Sequence, residues 1–342
     1  MRSIRMSKAG TPLEERPRDD PHPGPGEVVL EIRAAGICHS DAHYRKEAGR
    51  TRAPITLGHE IAGTVLERGP GVSSPADGAR VAVHYLVGCG CSLCLSGAER
   101  FCRKAEMLGK DRDGGYAELV AIPAGNAVSI PDSVPFDHAA VMMCSSATAL
   151  HALRLADLRR GETVLVIGFG GLGASAVQLA QAMGAGPVLA ADIVASKLEA
   201  AHALGAEALD VSTEPMQERV AESTGGRGVD VALDFAGSPV SRSAALRSLA
   251  PGGRLVLVAL NSQPFEFDPY RDVLARERRI LGCSDHLLAD LSDLMVFAEE
   301  GKLDLSRVVT RTVPLEAGPI NAALDELETG TSHFRTVIRP RA

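Results

Sequence analysis

From Val164 to Ala191 the chain carries no charged side chain, and a run of that length either crosses a bilayer or folds as alternating buried elements. Six glycines, Gln178, Gln181 and Pro187 interrupt it. They exclude a continuous spanning helix and divide the run into a strand (TVLVIG), a glycine turn, an Ala-rich helix over Ala174–Met183 and a second strand (PVLAADI). A helical stretch at Ala195–Leu204 and the apolar runs VDVALDFAG and GRLVLVAL continue the alternation, which predicts βαβ units and a parallel sheet. The first third has a different texture. Glu27–Ala35, Ile61–Leu66 and Arg80–His84 lie between breakers such as PHPGPGE and RGPGVSSPADG, as short strands do. The texture changes near Thr163 and becomes mixed again after about Cys283, with a helix expected near Asp290–Glu300, a strand near Val308–Val313 and a last strand in RTVIRP.

At 342 residues the chain is long enough for about two domains. The formal net charge of -7 does not suit a phosphate backbone, so nucleic acid is not an expected partner, and neither is a membrane. The N-terminal segment is charged throughout and has no apolar core, so no secretory leader is read there and the cytoplasm is the expected compartment. Four of the seven cysteines crowd between Cys89 and Cys102, a distribution that points to metal binding rather than a secreted disulfide framework.

Gly168-Phe-Gly170-Gly171-Leu-Gly173 follows the strand VLVI directly and opens the helix. In that context Gly168 allows the tight turn, Gly170 and Gly171 let backbone approach a pyrophosphate, and Gly173 lets helix and sheet pack closely. The helix N-terminus adds free N–H groups and a positive dipole. Asp192 ends the next strand, where a carboxylate accepts hydrogen bonds from ribose hydroxyls and repels a 2'-phosphate; the cofactor implied is NAD rather than NADP, with Lys197 flanking the same ribose.

Cys89, Cys91, Cys94 and Cys102 form C-x-C-x2-C-x7-C, which matches the four-thiolate demand of a structural zinc site. The single residue between Cys89 and Cys91 is tighter than the usual C-x2-C and leaves the part played by Cys89 open. A second set is dispersed: Cys38 in GICHSDAHY, His59 and Glu60 in LGHE, and Cys144 in MMCSSATALHA. Each alone reads as a packed core residue; together they offer the donors of a catalytic zinc with an exchangeable position.

In this order the motifs GICHSD, GHE, the cysteine cluster, GGYAE, the Cys144 segment, GxGGxG with Asp192, and FRTVIRP resemble those of the zinc-dependent medium-chain alcohol dehydrogenases, over nearly the whole chain. The resemblance implies an α/β chain with a mostly-β GroES-like catalytic domain (1–147 and 285–342) and a Rossmann coenzyme domain (148–284). It implies that Cys38, His59 and Cys144 hold the catalytic zinc, with Glu60 as an alternative ligand, and that Asp41 orients the imidazole of His59. It further implies a proton relay of Ser40 and His43, pyrophosphate contacts from His39 and Arg335, and Tyr85 as a substrate-pocket aromatic. Assembly as a homodimer or homotetramer is expected on the same ground.

The function implied is reversible oxidation of a primary or secondary alcohol to an aldehyde or ketone, with zinc and NAD as cofactors. A zinc-dependent polyol or sugar dehydrogenase is the alternative of the same class. It is disfavoured because such chains usually carry a carboxylate where this one has Cys144. A non-catalytic NAD(H)-binding sensor would need neither Ser40 nor His43, and a zinc-free reductase would not need both metal sets. Cys283 belongs to neither cluster and is read as a small buried apolar residue.

Overall fold

The uncharged run folds as the strand Val164–Ile167, the helix Gly171–Ala182 and the strand Val188–Asp192. The helix begins within the glycine motif, earlier than its alanine-rich periodicity predicts, because its first turn is built from glycines, which carry no helical signal of their own. These elements belong to a six-stranded, all-parallel sheet in the order Glu207–Asp210, Val188–Asp192, Val164–Ile167, Val229–Asp234, Leu249–Leu257, Arg279–Gly282. Taken in chain order this is 3-2-1-4-5-6, the Rossmann arrangement, whose switch point lies beside the first strand. Every side chain of Val164–Ile167 is buried, as a strand covered on both faces requires. Two helices without a strong sequence signal, Met216–Ser223 and Pro239–Arg247, complete this unit; the second is capped by Ser238, whose Oγ accepts from Ser241 N at 3.0 Å, with Pro239 at its first position.

A computed structural model describes residues 1–47, 49, 51–329 and 334–341. It divides the chain into one unit of Met1–Cys144, Leu287–Glu299 and Leu305–Ala342, and a second of Ser145–His286 and Glu300–Asp304. In the first unit the strands run in the order Ala127–Ser129, Arg80–Val83, Glu60–Arg68, Glu27–Ile37, Arg335–Arg339, Val309–Pro314, with Leu119–Pro123 also paired to the long strand Glu27–Ile37. All these pairs are antiparallel except the last two strands of the path. The core between them contains Val28, Leu30, Ile32, Ile37, Ile61, Val81, Tyr116 and Ile338; each aliphatic side chain so buried contributes on the order of 1.5–3 kcal/mol.

A small sheet of Ile4–Met6, Glu14–Glu15 and Ile55–Thr56 closes the N-terminal side. Asp113 ties it down: Oδ1 accepts from Thr56 N at 2.8 Å and from Arg5 Nη1 at 3.0 Å, and Oδ2 pairs with Arg18. No helix among the described residues is long and apolar enough to cross a membrane. Cys283 departs from expectation. It is half-buried just beyond the edge strand Arg279–Gly282, where Sγ–H donates to Asp285 O at 3.6 Å.

Candidate metal centres and coenzyme site

Cys38 ends the approach of the strand Glu27–Ile37 and caps helix α1, His39–Lys46. Asp41 sits at the third position of α1 and its Oδ2 accepts from Cys38 N at 3.0 Å, a local bond that fixes the start of the helix. His59 stands on the turn just before the adjacent antiparallel strand, which Glu60 opens, and Cys144 lies in a π-turn, Met142–Ser146, that follows the helix Phe136–Val141. One ligand atom from each of Cys38, His59, Glu60 and Cys144 lies within 4.8 Å of every other. Asp41 Oδ1, buried, accepts from His59 Nδ1–H at 3.2 Å, which leaves Nε2 to face the Cys38 thiol.

Electrostatics inside this cluster follow from its burial. The hydrogen bond with Cys144, aided by the positive charge at His59 and Arg335, outweighs burial and holds the Cys38 thiol well below its ordinary value. The same bond, together with burial, holds the Cys144 thiol well above it. Burial disfavours the His59 cation, but Asp41 and Cys38 overcome that and hold the imidazole well above its usual range. Burial pushes the Glu60 carboxyl up to about 7, against the pull of Arg335, which forms an ion pair with Glu60 Oε2. Glu60 Oε1 is buried with no hydrogen-bond partner. Two thiols, an imidazole and an orphaned carboxylate oxygen form a donor set that fits zinc.

Near this cluster Tyr85, 3% exposed, presents its ring edge-on to His59 with centroids 5.1 Å apart. Ser40, His39 and His43 all lie on α1, with the rings of His39 and His43 4.9 Å apart and His43 Nδ1 3.9 Å from Glu47 Oε1. Burial, then the neighbouring His43, lowers the His39 imidazole.

The second thiol cluster stands on a lobe around the short helix Ser92–Leu95. Its sulfurs lie 3.4 Å (Cys89–Cys102), 3.7 Å (Cys91–Cys94) and 3.6 Å (Cys91–Cys102) apart, and all four fall within 4.8 Å of one another. Four sulfurs about 2.3 Å from a zinc ion stand about 3.8 Å apart, whereas a disulfide needs about 2.05 Å. The spacing is therefore that of a metal cage. Cys89 joins it despite the short C-x-C because Gly90 adopts φ +78°, a turn that a side chain would resist. Hydrogen bonding, first from the Cys94 backbone and then from the other thiols, lowers the Cys91 thiol to about 6.

In the second unit the glycine motif, Asp192 and Lys197 meet at the carboxyl end of the first parallel strand. Gly168 turns at φ +89°, and a Cβ on Gly173 would lie 2.4 Å from Gly168 O, so helix and strand touch at backbone distance. A Cβ on Gly170 would meet nothing within 4 Å; the space before the helix N-terminus, beside Gly171, is open to a phosphate. Asp192 Oδ2 accepts from Phe169 N at 2.7 Å and lies 4.0 Å from Lys197 Nζ, while Oδ1 accepts from Ile193 N and Val194 N.

Some site residues escaped the sequence reading. Gly36 lies opposite Glu60 in the strand register, and a Cβ there would fall 1.9 Å from Glu60 Oε2. His84 Nε2 lies 3.1 Å from Glu99 Oε1, and Asn126 Nδ2 donates to His84 O and Leu86 O at 2.7 Å each, so the cysteine lobe is anchored just beside Tyr85. Tyr116 donates to Asp41 Oδ2 at 2.9 Å. Its motif, GGYAE, was visible, but nothing in it announces a bond to Asp41.

Residues 24–132 match the family model described as the alcohol dehydrogenase GroES-like domain, and residues 171–299 match that of the zinc-binding dehydrogenases. The chain is 33% identical to an alcohol dehydrogenase of Geobacillus stearothermophilus over 99% of both chains. It is 32% identical to an L-threonine 3-dehydrogenase of Pyrococcus horikoshii over 91% of this chain and 90% of that one. The solved structure of an NAD-dependent alcohol dehydrogenase superposes with a TM-score of 0.92 at 32% identity, covering 100% of both chains. A Rossmann sheet with its glycine turn, a GroES-like unit, and two donor clusters spaced for metal agree with these relationships: the chain belongs to the zinc-dependent, NAD-using medium-chain alcohol dehydrogenases.

Proposed function

We propose that Cys38, His59 and Cys144 hold a catalytic zinc, with Glu60 as an alternative ligand, and that the site oxidises a simple primary or secondary alcohol reversibly to its aldehyde or ketone. The convergence of these four donor atoms within 4.8 Å, with His59 already oriented by Asp41, carries the reading. When bound, zinc supplies a Lewis acid for the alcohol oxygen and NAD the hydride acceptor. The protein's own groups prepare that event. Asp41 keeps the proton on His59 Nδ1, so that Nε2 faces the cluster. Tyr85 and the buried walls around it exclude water and bound the space for substrate. Ser40 Oγ accepts the substrate's hydroxyl proton as it gives up its own O–H proton along the relay, and His43, one turn further along α1, takes up the relayed proton and releases one to solvent.

Gly168, Gly170, Gly171 and Gly173 cradle the pyrophosphate, Asp192 and Lys197 address the ribose, and His39 and Arg335 are the further pyrophosphate contacts, Arg335 through its charge and His39 through a ring N–H. Cys89, Cys91, Cys94 and Cys102 hold a structural zinc. A thiol at Cys144 favours a simple alcohol over a sugar polyol; the threonine dehydrogenase relative makes an amino alcohol the second class to test. Assembly as a homodimer or homotetramer is consistent with Leu260, Tyr270 and Leu274, each at least 66% exposed, next to the edge strand Arg279–Gly282. Two cysteine sets arranged for metal rather than disulfides suit the cytoplasm.

Cys38→Ser tests the centre: turnover falls by at least a hundredfold and one zinc is lost on metal analysis, while NADH binding, followed by fluorescence, is retained. Unchanged turnover removes the assignment. For the proton path, His43→Ala lowers kcat for alcohol oxidation most at acidic pH, and added imidazole restores part of it. An unaltered pH profile would exclude His43 from the path.

A further inference from the structure

The segment Gly114-Gly115-Tyr116-Ala117-Glu118 has no part in the reaction described above, yet it folds directly over the turn that delivers His59. Gly114 N donates to Thr56 O at 2.8 Å, Tyr116 N to Leu57 O at 3.0 Å and Gly115 N to Gly58 O at 2.7 Å. Gly58, at φ +94°, lies under the tyrosine ring so closely that a Cβ there would be 2.4 Å from Tyr116 Cδ1. The ring is fully buried and its hydroxyl donates to Asp41 Oδ2 at 2.9 Å, beside the bond from Cys38 N at 3.0 Å. The other oxygen of Asp41 takes the Nδ1–H of His59.

We infer that Tyr116 is a positioning residue for the catalytic metal: its hydroxyl fixes the Asp41 carboxylate, which in turn fixes the ring and tautomer of His59. The inference rests on the reading of Cys38, His59 and Cys144 as the metal's holders. Its physical content is geometric. Three donors from three segments, the cap of α1, the Gly114–Tyr116 turn and the His59 turn, lock the plane of one buried carboxylate. Without the phenol, Oδ2 keeps a single donor, and the carboxylate can rotate away from the imidazole it orients. A ring that served only to fill the core against Gly58 would do as well without its hydroxyl, and that is the point on which the two roles part.

The experiment uses zinc-loaded enzyme with Tyr116→Phe, Asp41→Asn, both together, and Cys38→Ser. Zinc release to a chromogenic chelator is measured, with the metal of the cysteine lobe as internal reference, and the cobalt-substituted forms are compared by visible absorption. Partners one step beyond a ligand are typically worth 10–100-fold in metal affinity. Tyr116→Phe is expected to release the catalytic zinc about tenfold faster and to shift the cobalt bands. The double variant is expected to be no worse than Asp41→Asn alone, because both changes act through one carboxylate. Release and cobalt bands equal to the parent's overturn the proposal, even where the urea midpoint of the metal-free protein falls, since that outcome is core filling alone. Multiplicative effects in the double variant overturn it too. If Cys38→Ser retains the same zinc as the parent, the metal assignment itself is wrong and the role of Tyr116 falls with it, an outcome distinct from the other two.

Discussion

Gly36 and Glu60 face one another across two antiparallel strands, and the absence of a side chain at one is what admits the carboxylate of the other. Glu60 fills the space a Cβ would take, meets Arg335 on one oxygen and keeps the other buried without a hydrogen-bond partner. A methyl group here would have to displace a fully buried carboxylate from Arg335. Gly36→Ala is therefore expected to destabilise the protein by about 1–3 kcal/mol, the usual cost of overpacking a filled core, read as a lower urea midpoint. Catalytic zinc should also be held less firmly in the variant. Gly36 stands two residues before Cys38 in a strand where alanine would otherwise fit well. Sequence alone does not mark it, because the constraint comes from a residue on the neighbouring strand.

Helix α1 has only eight residues, too few to persist alone in water. Its first turn is fixed by the Asp41–Cys38 bond, and its far end is pinned by Arg45 to Asp325 and by Lys46 to Glu328, 3.5 Å apart. Ser40 and His43 are thus held by contacts spread over nearly three hundred positions of sequence, none of them visible in the motif GICHSDAHY. The small N-terminal sheet depends on Asp113 in the same way. Burial works against the Asp113 carboxylate, but the Thr56 N–H, Arg5 and Arg18 prevail and hold its pKa below the ordinary value. A carboxyl depressed on folding stabilises the native state fully above its unfolded pKa, near 4, and loses that contribution as pH falls toward the folded value. Asp113→Asn should thus cost about 1.5–3 kcal/mol at pH 7, the typical worth of a hydrogen bond to a charged group. In urea titrations the gap between parent and variant should stay constant down to about pH 5 and narrow below pH 4.

At the scale of the molecule, the parallel sheet and its glycine turn were legible because βαβ patterning is local: apolar runs, a turn and a helical period follow one another without interruption. The donor clusters were legible as residue types, while their spacing in three dimensions was not. The short Cys89–Cys91 interval left the lobe uncertain until Gly90 supplied the turn that brings Cys89 to the other three. Cys89→Ser is accordingly expected to lower the zinc content from about two to about one per chain while turnover at the separate Cys38 centre survives, as metal analysis and assay on the same sample would establish. The helices Met216–Ser223 and Pro239–Arg247 were missed because their apolar faces are short and their stability comes from the sheet they cover.

The strand Arg335–Arg339 inserts beside Glu27–Ile37, with Val337 opposite Gly36, and delivers Arg335 to Glu60. On a ribosome, the residues of the second unit are made before this strand emerges. The nucleotide-binding half has every strand of its sheet while the half that carries the metal donors still lacks the strand next to its longest one, and Glu60 still lacks its cation. Ordering of the donor cluster therefore waits for residues 335–339, so a chain cut before them exposes an unfinished sheet and leaves Glu60 without Arg335.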